Sequence, residues 1–211
     1  MAAGNHASRR RIELRVLLAA TLIGLLLSGI RPTDRVTWLL EVAPVAIGLA
    51  VLIPTYGRFP LTSLAYRLLF LHGVILLIGG HYTYAQVPAG FWVQDLFDLS
   101  RNHYDRLGHI AQGFVPAILA REILIRRSPL AGSRWLFFLV TCFCLAFSAL
   151  YEILEWWVAV SSADDAVAFL ATQGDPWDTQ WDMFLALSGA IAAQLVLGKA
   201  HDRELKTLAP C

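Results

Sequence analysis

The sequence predicts an all-α polytopic membrane bundle with about six transmembrane helices and both termini in the cytoplasm. Three observations support this fold class. The 211-residue chain is 57% hydrophobic with a mean hydropathy of +0.56, which is more apolar than soluble domains usually are. Apolar stretches long enough to cross about 30 Å of hydrocarbon as a helix recur along the chain. Basic residues gather at alternate ends of these stretches, a distribution that orients membrane helices.

The apolar stretches define the individual spans. A helix needs roughly 17 to 25 apolar residues to cross a bilayer. The predicted spans are residues 14–30, 36–53, 61–80, 107–125, 135–158 and 182–198. No internal repeat, low-complexity tract or change of composition separates them. We therefore expect a single integral membrane domain over residues 1–211.

The charged flanks predict the orientation of the spans. The segment SRRRIELR places three arginines before the first span and a fourth, Arg15, at its start, and further basic clusters follow at every second loop. The loop 161–180, by contrast, contains no Arg or Lys. Because cytoplasmic loops carry the excess of basic residues, this loop is expected outside and both termini inside. No small-x-small cleavage site follows the first span, so we interpret that segment as an anchor.

Residues 88–104, PAGFWVQDLFDLSRNHY, are too short and too polar to cross the bilayer. Their apolar side chains, among them Phe91, Trp92, Leu96 and Phe97, predict a helix that lies in the outer membrane interface.

Charge and cysteine content exclude several classes of function. A net charge of only +1 creates no field that would attract nucleic acid. Cys142 and Cys144 lie inside an apolar run and Cys211 is the last residue, so no disulfide framework or CxxC pair is readable. Membrane lipids are the expected partners, and the sequence identifies no protein partner.

Three aspartates precede the last span in the segment GDPWDTQWDM. Asp175 is predicted to be the N-cap, Pro176 the first helical residue, and Asp178 the acid at N3, where the helix dipole favours negative charge. Asp182 lies four residues after Asp178 on the same helix face and is followed by an apolar run. Capping does not account for Asp182, so we expect its charge to serve a site.

Two further spans carry ionisable pairs near the same membrane surface. In NHYDRLGHIAQGF, Asn102 is the predicted cap, Asp105 the first-turn acid, and His109 follows on the face of Asp105. In SALYEILEWW, Glu152 and Glu155 share one face near the outer end of the fifth span. Glutamates near a helix C-terminus oppose the helix dipole, so another interaction must favour them.

If these three helix ends pack together, six ionisable groups converge on one outward-facing pocket. They are Asp105, His109, Glu152, Glu155, Asp178 and Asp182. Five carboxylates cannot all stay ionised there without cations, even if Arg101 and Arg106 supply part of the balance. The remaining options are raised pKa values or a bound metal. Oxygen-rich sites with one imidazole suit Mg²⁺, Mn²⁺, Ca²⁺ or iron, and suit Zn²⁺ less well.

The preferred hypothesis is that this pocket binds a divalent cation and acts on an envelope lipid or lipid-linked substrate. The predicted metal ligands are Asp105, His109, Glu152, Asp178 and Asp182, and the predicted catalytic residues are Glu155 and Glu152. In a hydrolytic version the metal would lower the pKa of a bound water and Glu155 would be the general base. No nucleophile elbow, HExxH motif or phosphate-binding glycine loop assigns a reaction.

Two other classes of function stay open. The same acids would serve a proton- or ion-coupled transporter if polar groups continued through the bundle towards Glu122. In a structural scaffold they would only fix helix packing. Among neighbouring residues, Glu41 either joins the pocket or pairs with Arg35, and Gln112 is placed to orient a ligand. Arg121 and Glu122 are expected to snorkel towards the cytoplasm together with Arg126 and Arg127.

Four segments carry a resemblance to a known family. They are GGHYTYAQVPAGF, SRNHYDRLGHIAQGFVPAILAREIL, SALYEILEWW and TQGDPWDTQWDM. In combination they resemble the YjdF-like family of bacterial inner-membrane proteins, and the six pocket residues occupy its motif positions. The resemblance covers the chain beyond the second span and implies a multi-pass bacterial inner-membrane protein. More distantly, the order of the acidic motifs resembles VanZ-like membrane proteins associated with glycopeptide tolerance.

Overall fold

The computed structural model describes residues 2–161 and 172–208, which form seven α-helices and one short 3₁₀ turn. The helices are α1 (Ala2–Ser28), α2 (Arg35–Thr55), α3 (Ser63–Tyr82), α4 (Pro88–Phe97), α5 (Tyr104–Arg127), α6 (Arg134–Ser161) and α7 (Asp178–Leu205). The 3₁₀ turn, Tyr84–Gln86, joins α3 to α4. These residues contain no β-strand, which confirms the all-α class. Much of the predicted outer loop 161–180, namely residues 162–171, lies outside the described part of the chain.

Four of the helices, α2, α3, α6 and α7, are long and apolar enough to cross a membrane. Helices α2, α6 and α7 each cover a predicted span, and α3 coincides with the predicted span 61–80 but begins two residues later. Helices α1 and α5 coincide with the other two predicted spans but carry more charge. The last 18 residues of α1 still include Arg11, Glu13 and Arg15, and α5 has ionisable side chains at both ends.

Helix α5 lies at the centre of the bundle. It packs most extensively against α7 and also contacts α3 and α6. Buried residues make up 12 of its 24 positions, including Asp105, His109 and Glu122. Ionisable side chains among apolar helices persist where they face the protein interior, and the central position of α5 provides that environment.

Two glycines allow α5 and α7 to approach closely. A Cβ atom on Gly113 would lie 1.8 Å from the carbonyl oxygen of Ala186, and one on Gly189 would lie 2.3 Å from that of Ile110. Any larger residue would force the helices apart. Small residues at such contacts are typical of helix packing in membranes, and here they bring the first turns of both helices together.

A fully apolar layer fills the middle of the bundle between α5, α6 and α7. Its members are Ala117, Ile118, Val140, Cys144, Ala190 and Ala193. We call these six residues the apolar layer. The outer end of the bundle is the end where α5 and α7 begin, and the basic end is the end where they finish, near Arg126, Arg127, Arg134 and Lys206. On each helix the apolar layer separates the polar residues of the two ends.

The helix predicted over residues 88–104 is shorter than expected. Helix α4 ends at Phe97, and residues 98–103 are not helical. Asp98 adopts the left-handed conformation, with φ 52°, and its backbone N–H donates to the carbonyl of Gln94. This arrangement is typical of a helix C-terminus. The apolar side chains Trp92 and Leu96 are exposed, as expected of a helix that contacts lipid.

The predicted N-caps of two helices are wrong by one or two residues. Helix α7 begins at Asp178, and the carboxylate of Asp175 accepts a hydrogen bond from the backbone of Trp177 at 2.9 Å instead of capping the helix. In the same way, Asn102 Oδ1 accepts from the backbone N–H of Tyr104, the first residue of α5, at 3.0 Å. Both side chains bond to an amide two residues later, so each closes a turn just before the helix.

Glu122 does not snorkel towards the basic end, contrary to expectation. It is fully buried. Its carboxylate accepts hydrogen bonds from the backbone and hydroxyl of Thr62 and from Arg126 Nη1, at 3.0, 2.7 and 2.8 Å. His201 Nε2 lies 3.1 Å from the same carboxylate. We call these four residues the Glu122 network. It connects the start of α3 to α5 and α7, and its hydrogen bonds make the burial of Glu122 tolerable.

Candidate functional site

The outer ends of α5 and α7 bring three ionisable residues together. Asp105, His109 and Asp182 each offer a ligand atom, and these atoms lie within 4.8 Å of one another. His109 Nε2 is 3.5 Å from Asp105 Oδ1 and 3.8 Å from Asp182 Oδ2. All three residues are buried. We call them the Asp/His/Asp cluster.

The orientation of the His109 ring is set from the same helix. Its Nδ1 lies 3.1 Å from Gln112 Oε1. An amide oxygen can only accept a hydrogen bond, so in the neutral ring Nδ1 carries the proton and Nε2 keeps its lone pair. That lone pair is on the side of Asp105 and Asp182. Histidines that bind metals characteristically show this arrangement, with the second ring nitrogen bonded to an acceptor.

Glu152 approaches His109 from the other side of the ring. Its Oε1 lies 3.8 Å from His109 Nδ1, so the structure does not place Glu152 with the three ligand atoms of the Asp/His/Asp cluster. Glu155, one turn further along α6, is buried as well. The two glutamates therefore border the cluster.

Two carboxylate oxygens at this site have no hydrogen-bond partner among the described residues. They are Asp182 Oδ1 and Glu152 Oε1, and both are buried. Most buried side-chain polar atoms in proteins are hydrogen-bonded, so an exception calls for an explanation. Burying a carboxylate oxygen without a partner is costly, and a cation or a proton is the group that would satisfy it.

Asp178, also a predicted ligand, forms an ion pair. Arg101 Nη1 lies 2.7 Å from Asp178 Oδ1, and both side chains are buried. The same nitrogen donates to the backbone carbonyl of Thr172 at 3.0 Å. Arg101 thereby neutralises Asp178 and ties the segment before α5 to the start of α7.

A rim of polar contacts surrounds this ion pair. Arg106 Nη2 lies 2.9 Å from Asp175 Oδ2. Gln173 Nε2 donates to the carbonyl of Asn102 at 2.8 Å, and the backbone N–H of Asn102 donates to Gln173 Oε1 at 3.1 Å. Burial lowers the pKa of nearby His103, and the positive charge of Arg106 lowers it further. The positive charge around the ion pair is therefore supplied by Arg101 and Arg106.

Glu41 lies near the pocket and not beside Arg35. It is buried, and the Tyr151 hydroxyl donates to its Oε2 at 3.4 Å. The structure thus favours the first of the two interpretations for Glu41. Because its partners come from other helices, the spacing of residues on α2 could not have decided the question.

Tyr84 is a neighbour of this site that the motifs did not single out. Its ring occupies space left by two glycines, since a Cβ atom on Gly79 or Gly108 would lie 2.4 or 2.9 Å from it. The side chain also interacts with Glu41. The sequence indicates the position of Tyr84 only indirectly, through the glycines on α3 and α5 that leave room for its ring.

Comparison with known proteins places the chain in a family. The family described as "Predicted membrane protein (DUF2238)" matches residues 13–203. The inner membrane protein YjdF of Escherichia coli (strain K12) is 52% identical over 189 residues, which cover 90% of this chain and 90% of that protein. No solved structure gives a significant match. These matches confirm the resemblance to YjdF-like proteins, and the chain belongs to the DUF2238 family as a multi-pass protein of the bacterial inner membrane.

Proposed function

We propose that this protein binds a divalent cation at the Asp/His/Asp cluster and acts there on an envelope lipid or lipid-linked substrate. The observation that carries the proposal is the buried carboxylate of Asp182: its Oδ2 lies 3.8 Å from His109 Nε2, and its Oδ1 has no hydrogen-bond partner among the described residues. Glu152 Oε1, which is also buried without a hydrogen-bond partner among them, lies 3.8 Å from the other ring nitrogen. Carboxylate oxygens in such an environment, next to an imidazole nitrogen, are suitable ligands for a cation.

The proposal includes a six-span topology with both termini in the cytoplasm and a single membrane domain over residues 1–211. Helices α1 and α5 would provide the spans beyond the four apolar ones. Enclosure by α3, α6 and α7 supports this role for α5. The concentration of Arg and Lys at the basic end supports a cytoplasmic position for that end, so the Asp/His/Asp cluster would face the periplasmic side.

The residues present fit a hard divalent cation. Two carboxylates and one imidazole favour Mg²⁺, Mn²⁺, Ca²⁺ or iron over Zn²⁺. Asp105, His109 and Asp182 would be the ligands, and Glu152 is the adjacent carboxylate that could join them. Asp178 is left out of this ligand set, because Arg101 already neutralises its charge.

A lipid substrate is supported by the surroundings of the site. Trp157, Trp177 and Trp181 are exposed at the outer end, where tryptophan rings mark the headgroup level of a bilayer. A bound cation would act as a Lewis acid and lower the pKa of a coordinated water. Glu155, buried one turn from Glu152, is the residue proposed to accept a proton, while Gln112 holds the His109 ring in place.

A proton- or ion-coupled transporter is the alternative function. It would require polar groups that continue from Glu152 towards Glu122. The apolar layer lies between these two glutamates, so the proposal places the chemistry at the outer end alone.

Metal content is the measurement that tests the cation site. We expect the full chain, purified in detergent and incubated with Mn²⁺, to retain nearly one metal ion per molecule by elemental mass spectrometry. Asp182→Asn and His109→Ala should lose it. Asp95→Asn is the matched control, because Asp95 is an exposed acid on α4 at the same end. If the wild type retains no Mn²⁺, Mg²⁺, Ca²⁺ or iron, the cation site is wrong and a structural network is favoured.

Lipid chemistry is tested separately with Glu155→Gln. The metal-loaded protein should release a headgroup from a phospholipid or lipid-linked diphosphate of the envelope, and the variant should lose this release while keeping its metal. Equal release by the wild type and Glu155→Gln would contradict the role of Glu155. Loss of metal in Glu155→Gln would instead make Glu155 part of the ligand set.

A further inference from the structure

A cleft of about 820 Å³ opens at the basic end of the bundle, on the opposite side of the apolar layer from the Asp/His/Asp cluster. It lies between the last turns of α5 and α7 and the first turn of α6. Its volume falls in the range of roughly 300 to 1,000 Å³ that is usual for ligand sites. None of the proposed metal ligands lines this cleft, so a ligand bound here would be independent of the cation site.

One side of the cleft is cationic. Arg121, Arg126 and Lys206 line it, and Asp202 is the single acid among the described residues of its wall. Arg121 forms two hydrogen bonds with Asp202, at 2.7 and 3.0 Å. The net charge of the wall is therefore positive, and the exposed Lys206 is a cation that could contact a ligand directly.

Arg126 is held in a fixed position beside the cleft. Its Nη1 donates to Glu122 and to the carbonyl of Pro60, at 2.8 and 2.7 Å. The guanidinium also lies over the ring of Phe59, 3.6 Å from the centroid. A pre-organised guanidinium loses little freedom when an anion binds to it.

The other side of the cleft is apolar, with Ile125, Leu136, Phe137 and Leu205 on its wall. Trp135, next to this wall, is exposed, and tryptophan is enriched where the hydrocarbon meets the headgroups. A cleft with one cationic and one apolar side matches a ligand that is itself anionic at one end and apolar at the other. Basic pockets between transmembrane helices on the cytoplasmic side bind anionic headgroups of lipids.

We propose that this cleft binds an anionic phospholipid, with the phosphodiester near Lys206 and Arg126 and the acyl chains against Phe137 and Leu205. A soluble phosphate compound could satisfy the cationic side but would leave the apolar side without a partner. The juxtaposition of the two sides therefore favours a lipid of the surrounding membrane.

Native mass spectrometry of the full chain in detergent tests the site. The protein is titrated with phosphatidylglycerol and with phosphatidylcholine of the same acyl chains. We expect a preference for phosphatidylglycerol, which Lys206→Gln lowers roughly fivefold, the effect of one basic residue at a membrane surface. Arg203→Gln is the matched control. Arg203 is exposed in the last turn of α7, three residues before Lys206, and it does not line the cleft.

Three results would overturn the proposal. Equal binding of the two lipids would show that the cleft does not recognise an anionic headgroup. An equal effect of Arg203→Gln and Lys206→Gln would show that general surface charge and not the cleft attracts the lipid. Displacement of the lipid by an equal concentration of soluble glycerophosphoglycerol would show that the apolar side contributes nothing. Chelation of divalent metal should leave the preference unchanged, which separates this test from that of the metal site.

Discussion

Gln112 Oε1 lies 3.1 Å from His109 Nδ1, one turn further along α5. This contact determines which ring nitrogen is on the side of Asp105 and Asp182. Metal affinity at the Asp/His/Asp cluster should therefore depend on a residue that is not itself a ligand.

Gln112→Ala should weaken Mn²⁺ binding by roughly 10- to 100-fold, the effect usual for residues that orient a metal-binding histidine. The physical reason is that His109 would lose its preferred tautomer and ring orientation. Equilibrium dialysis with Mn²⁺ measures the change. Gln180→Ala, at an exposed position in the first turn of α7, serves as the control and should bind Mn²⁺ like the wild type. Unchanged affinity in Gln112→Ala would contradict the orienting role.

Arg101→Gln should lower the free energy of unfolding by about 3 to 5 kcal/mol, because it leaves the buried carboxylate of Asp178 without its cation. Denaturant titration in detergent gives this quantity. Adding Asp178→Asn to Arg101→Gln should restore much of the loss, since no unpaired charge remains. Arg106→Gln is the comparison. Its ion pair with Asp175 is more exposed, so a loss as large as that of Arg101→Gln would show that burial is not the cause.

Gly113→Ala should destabilise the protein by at least about 2 kcal/mol, because the new methyl group would collide with the backbone of Ala186 on α7. Gly73→Ala provides a matched control in α3, where no atom lies within 4 Å of the added Cβ. That substitution should change stability by less than about 1 kcal/mol and in the stabilising direction. Thermal unfolding followed by circular dichroism compares the two. Similar midpoints for both variants would contradict the close approach of α5 and α7.

Glu122→Gln should lower the free energy of unfolding by about 3 to 5 kcal/mol, because it removes the negative charge that pairs with Arg126. It also places the NH₂ group of an amide, itself a donor, next to hydrogen-bond donors such as the Thr62 N–H. Glu204→Gln tests the same kind of contact nearer to solvent, where Glu204 accepts from the backbone of Leu64 at 2.9 Å. It should cost about 1 kcal/mol. Denaturant titration in detergent separates these values. Equal and small losses would mean that the Glu122 network contributes little to stability.

The pairing of residues within one helix was predictable from sequence, whereas most partners on other helices were not. The i, i+4 spacing of Asp105 and His109 predicted that they share a face, and the common depth of Asp182 predicted their meeting. Arg101 was expected to balance part of the negative charge, but its specific pairing with Asp178 was not predicted, because an acid in the first turn of a helix has an adequate local explanation.

The Glu122 network shows more clearly why contacts between helices cannot be predicted from the sequence alone. His201 is 79 residues away from Glu122 along the chain. No sequence pattern around either residue indicates that the two side chains are in contact. A charged residue near a span end is normally interpreted as reaching water. Only the packing of α3 and α7 against α5 reveals that water is excluded there.

The apolar layer has an electrical consequence. With the proposed topology, it is the part of the bundle across which much of the membrane voltage should fall, because its six side chains carry no charge. An ion that enters the Asp/His/Asp cluster from outside would cross little of that voltage, although one charge moved through the full field of 100 mV changes energy by about 2.3 kcal/mol. Occupancy of the outer site should thus follow the composition of the periplasm and be insensitive to the energised state of the cell.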